Sequence, residues 1–81
     1  MIEVFKTNVR QRAQAKMLIS QIHKTFSDYN ANFDLWDSDN ILRVKSTSGM
    51  IQSSCLVELL KRFGFHAEVL PDNPRPVTSI A

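Results

Sequence analysis

The chain is poor in the residues from which small proteins build chemistry. Its 81 residues include one cysteine, Cys55. No internal disulfide can form, and no Cys-x-x-Cys pair exists. A lone thiol fits a reducing compartment, so a cytoplasmic location is expected. No apolar run approaches the ~20 residues that a membrane span needs, and no membrane association is expected. The first residues, Met-Ile-Glu-Val-Phe-Lys, lack a basic segment followed by an apolar one, so no signal peptide is expected. Charge of one sign is also scarce. The net charge is +2, short of the clustered basic face that marks a nucleic-acid binder. No nucleophile can be paired with a general base. A non-enzymatic protein without a cofactor is therefore expected.

What is present is ordinary globular composition. Hydrophobic residues make up 43% and charged residues 22%, close to the usual proportions. The length suits one domain of modest stability. Residues 2–7 alternate and are rich in β-branched and aromatic side chains, which predicts a strand. Ile2, Val4 and Lys6 lie on one of its faces, and Glu3, Phe5 and Thr7 on the other. Over residues 9–26, Ala15, Leu18, Ile19, Ile22 and Phe26 recur at helical spacing, predicting an amphipathic helix. Thr7 or Asn8 is the expected cap. Ala31, Phe33 and Leu35 alternate with Asn32, Asp34 and Trp36 as a second strand. Asp37-Ser38-Asp39-Asn40 reads as a turn, and residues 41–46 return as a third strand with Leu42 and Val44 inward.

Ser48 is the expected cap of a second helix over residues 50–63. Its apolar side is Ile51, Cys55, Leu56, Leu59, Leu60 and Phe63. Gly64 stands where a terminating residue with positive φ is expected. Phe65, Ala67 and Val69 alternate with His66, Glu68 and Leu70 as a last strand. Pro71, Pro74 and Pro76 exclude a helix or central strand beyond it. A domain over residues 1–70 and a flexible, proline-rich tail over 71–81 are expected.

The order βαββαβ predicts an α+β, ferredoxin-like fold: a four-stranded antiparallel sheet with both helices on one face. The first and third strands are then central. The open face is expected to carry Phe5, Thr7, Asn32, Asp34, Trp36, Arg43, Lys45 and His66.

The ending Phe63-Gly64-Phe65-His66-Ala67-Glu68-Val69-Leu70, the spacing Ala15, Leu18, Ile19, Ile22 and the element order resemble those of heavy-metal-associated domains. These are the small modules of copper chaperones and metal-transporting ATPases. The resemblance spans about residues 1–70 and implies the fold. The family's metal-binding members carry Cys-x-x-Cys between first strand and first helix, where two thiolates hold a soft ion. Asn8 and Gln11 occupy those positions here. The resemblance thus implies a degenerate member without the metal site.

Two candidate sites follow. The turn with Thr7, Asn8, Arg10, Gln11 and Arg12 offers helix N–H groups and two guanidiniums, which suit an anion; a metal or anion binder here is one reading. A capped helix with solvated arginines is the plain alternative. The second candidate is the open face, where Phe5, Trp36, Arg43 and His66 would form an aromatic-cationic platform. That face suits a partner protein or a second copy. Weak binding of single-stranded nucleic acid is a further alternative, although Glu3, Asp34 and Glu68 would repel phosphates. The expectation is a binding or interaction module working through the open face. His23, Cys55 and His66 fall on separate elements, and no joint metal site is expected.

Overall fold

Strand β1 spans Ile2–Thr7 and is followed by helix α1, Arg12–Thr25. Strands β2 (Tyr29–Asp34) and β3 (Ile41–Ser46) form a hairpin. Helix α2 (Ser53–Arg62) and strand β4 (Ala67–Leu70) complete the βαββαβ order. These elements come from a computed structural model that describes residues 1–36 and 38–70. The expected tail over 71–81, and Asp37 of the expected turn, lie outside the described residues. The sheet order is β2-β3-β1-β4, and every neighbouring pair is antiparallel. This is the expected ferredoxin-like arrangement, with β1 and β3 central.

The core is one layer between sheet and helices. Leu18 and Ile22 of α1, Leu56 and Leu60 of α2, and Phe5, Leu42 and Val44 of the central strands are fully buried. Phe5 faces Leu42 across the β1–β3 ladder. It therefore lies on the helix side, and the expected facing of β1 is reversed. Glu3, Phe5 and Thr7 look towards the helices, while Ile2, Val4 and Lys6 share the open face with Arg43 and Lys45. The physical reason is volume. A central strand beneath two helices must fill the space under them, and a phenyl ring fills more of it than Val4.

Both helices are shorter than their apolar patterns. Helix α1 begins at Arg12 because Val9 is drawn into the core and is fully buried. Its N–H is taken by the Thr7 hydroxyl at 3.2 Å. The cap is Gln11, whose side chain makes no capping bond, so neither Thr7 nor Asn8 caps α1. Helix α2 begins at Ser53 because Tyr29 pins the preceding residues. The Tyr29 hydroxyl accepts the Gln52 N–H at 2.7 Å and donates to the Met50 carbonyl at 3.4 Å. Ser48 is not its cap; the Ser48 hydroxyl bonds the Asp28 carboxylate instead. Cys55, expected on the apolar side, is exposed. The buried stripe of α2 is Leu56, Leu59 and Leu60, and Cys55 falls beside it. Gly64 has φ of +86°, as its place after the helix predicts.

Candidate functional site

The turn between β1 and α1 is occupied by its own hydrogen bonds. Thr7 is buried, and its hydroxyl donates to the Asn40 carbonyl at 2.6 Å. The Asn8 side chain accepts the His66 N–H at 2.8 Å, and the Asn8 N–H donates to the His66 carbonyl at 3.2 Å. Thr7 thus ties β1 to the entry of β3, and Asn8 ties it to the entry of β4. Arg10, Gln11 and Arg12 are exposed. The five residues do not converge, because Thr7 points inward and Asn8 is held against the neighbouring strand. Asn8 is exposed but spends its side-chain oxygen on His66, which leaves Arg10, Gln11, Arg12 and the uncapped start of α1 facing solvent.

The expected platform on the open face is not assembled either. Phe5 is 0% exposed on the opposite side of the sheet. The Arg43 guanidinium is engaged by the Asp34 carboxylate at 2.7 Å. His66 lies opposite Asn8, whereas Arg43 lies opposite Val4. Val4 and Asn8 are four positions apart along the chain, about 13 Å at the rise of a strand. Trp36 follows the end of β2 and stands against α1 rather than beside Arg43.

The structure instead places Trp36 at a groove that the sequence does not announce. Arg12, Ala15, Lys16 and Ile19 form the helical wall, and Asn32, Phe33, Leu35 and Trp36 the strand wall. The groove encloses about 350 Å³. Trp36 is 86% exposed, the most exposed of the large hydrophobic side chains among the described residues. Two cations, Arg12 and Lys16, line the groove, and no acidic side chain does. Neither cation has an ion-pair partner among the described residues. Amphipathic spacing does hint at the helical wall: Ala15 belongs to the buried stripe with Leu18 and Ile22, and Ile19 borders it. The juxtaposition with Trp36 depends on how the helix crosses the hairpin, which residue spacing does not encode.

A second groove of about 370 Å³ lies between the end of α1 and α2, lined by Phe26, Cys55, Leu59 and their neighbours. The Cys55 thiol there donates to the Gln52 side chain at 3.2 Å. The soft and borderline ligands stay apart. The His23 ring accepts the Ala31 N–H at 3.2 Å, Cys55 sits on α2, and His66 precedes β4. Among the described residues no group of three or more His, Cys, Asp or Glu side chains is placed to hold a metal ion. No helix among them is long and apolar enough to cross a membrane. No family model, curated protein or solved structure matches the chain.

Proposed function

We propose that this chain is a non-catalytic interaction module that takes an acidic, partly apolar segment of a partner protein in the groove between α1 and β2. The single observation that carries this reading is the exposed Trp36 beside two unpaired cations. Tryptophan and arginine are the residues most enriched among interface anchors. An exposed indole that lines one groove with Ala15, Ile19 and Leu35 gains from being covered. Arg12 and Lys16 gain from carboxylates at the rim, and like charge there discriminates against basic partners. The reading moves the expected interaction surface from the open sheet face to the edge of the sheet.

Trp36 is the only tryptophan in the chain, so its fluorescence reports on the groove directly. Titration with a pool of peptides rich in Asp, Glu, Val and Leu is expected to change that emission. A matched pool with Lys in place of the acids is expected to leave it unchanged. A response to single-stranded oligonucleotides with none to acidic peptides would overturn the proposal.

A further inference from the structure

The outer edge of β2 shows how such a segment would be held. Backbone groups of an antiparallel strand point alternately to either side. The Thr47 N–H donates to the Asp28 carbonyl at 3.1 Å, and this pair continues the β2–β3 register, in which Asn30 faces Lys45 and Asn32 faces Arg43. Residues 28, 30, 32 and 34 therefore turn their backbone groups towards β3. Tyr29, Ala31 and Phe33 turn theirs to the free edge. Two of those three N–H groups are already used. The Tyr29 N–H donates to the Phe26 carbonyl at 3.1 Å, and the Ala31 N–H donates to His23 Nε2 at 3.2 Å. The Phe33 N–H has no acceptor among the described residues. Phe33 is also the edge residue that lines the groove.

We propose that the partner segment binds as a short extended strand added to β2, pairing its backbone with the N–H and carbonyl of Phe33. This inference rests on the groove reading above and specifies its mode. A helical ligand satisfies its own backbone and would leave the Phe33 N–H unpaired; an added strand satisfies it while laying alternate side chains against Trp36, Leu35 and Ile19. Pairing is short because the His23 ring already holds the next outward N–H, at Ala31. Carboxylates flanking the apolar residues meet Arg12 and Lys16. A second copy of this chain is a poor occupant. Its own β2 offers Asn30, Asn32 and a single acid, Asp34, which Arg43 already engages.

The test uses acetylated heptapeptides with Asp or Glu at both ends and Val, Ile or Leu at alternate inner positions. The tightest binder is remade with one inner amide N-methylated at a time. Binding is expected to slow hydrogen exchange of the Phe33 amide at least about tenfold, the scale on which an exposed edge amide becomes a paired one. One N-methyl position is expected to weaken binding about tenfold, the effect of losing one well-placed hydrogen bond. His23→Ala, which frees the Ala31 N–H for pairing, is expected to tighten binding. A Trp36 fluorescence response with unchanged Phe33 exchange and tolerance of every N-methyl group would overturn strand addition while leaving the groove in place. No Trp36 response to any acidic peptide would overturn the groove reading itself. Protection of Phe33 without peptide, together with a dimer in sedimentation, would overturn the choice of a foreign partner in favour of a second copy.

Discussion

Two polar regions meet at the start of α1, and they have opposite fates. In the β1–α1 turn the hydrogen-bonding side chains are consumed by the fold, Thr7 by Asn40 and Val9, and Asn8 by His66. In the groove one turn further along, Arg12, Lys16 and Trp36 have no partner of comparable strength among the described residues. The difference lies in the backbone around them. The turn leaves the sheet between two strands that are only beginning, so N–H and carbonyl groups there need partners. Arg12 and Lys16 stand on the flank of α1, away from those strand ends, and no ion pair among the described residues engages their heads. Polar residues in a turn are thus no stronger pointer to a ligand than charged residues on a helix flank. What matters is whether the fold has already claimed them.

The comparison breaks first if the two sides of β1 are assigned wrongly. Phe5→Ala empties a fully buried site between Leu42 and the helices, and it is expected to destabilise the protein by about 3–5 kcal/mol. Urea denaturation measures this directly. A cost below about 1 kcal/mol would place Phe5 at the surface and restore the open-face platform. Thr7→Val comes next. It keeps the shape but removes both bonds of a buried hydroxyl, one donated to Asn40 and one accepted from Val9. The expected cost is about 1–3 kcal/mol. An unchanged midpoint would mean that the turn is as uncommitted as the groove, and an anion site there would regain its case.

The element order was legible because each element carries its own period: two in residues 2–7 and 41–46, and 3.6 in the helices. The facing of β1 was not. Ile2 and Val4 on one side balance Phe5 on the other, and alternation alone has no sign. Helix starts failed for a related reason. Val9 falls inside the expected first helix and Ile51 on the apolar side of the expected second, yet both are buried outside the helices, beside backbone N–H groups held by the hydroxyls of Thr7 and Tyr29. Those bonds join residues far apart in the chain or replace a regular turn, so no local pattern reports them. Of the candidate residues, Trp36 and Arg12 survive as members of one groove. Lys16, the second cation of that groove, was not among the candidates.

Smaller effects test the open face. Arg43→Ala removes the guanidinium bonded to Asp34, a pair in which both side chains keep some exposure. The expected cost is about 0.2–1 kcal/mol, falling as salt is raised. A larger loss would make this pair part of a network on that face rather than an isolated contact.

The smallest expected change in stability, and the sharpest use of the comparison, is Trp36→Ala. The indole is 86% exposed, so its removal should move the folding free energy by no more than about 0.5 kcal/mol. Thr7→Val should do the reverse, lowering stability while leaving the binding of acidic peptide to the remaining folded protein intact. If the groove binds as proposed, Trp36→Ala should weaken that binding at least about tenfold, as loss of a central aromatic anchor does. The two variants together separate a residue that the fold needs from one that it leaves available. A Trp36→Ala protein that loses stability as Thr7→Val does would show the indole holding the hairpin against α1, and the exposed ring would then be a structural strut rather than a docking anchor.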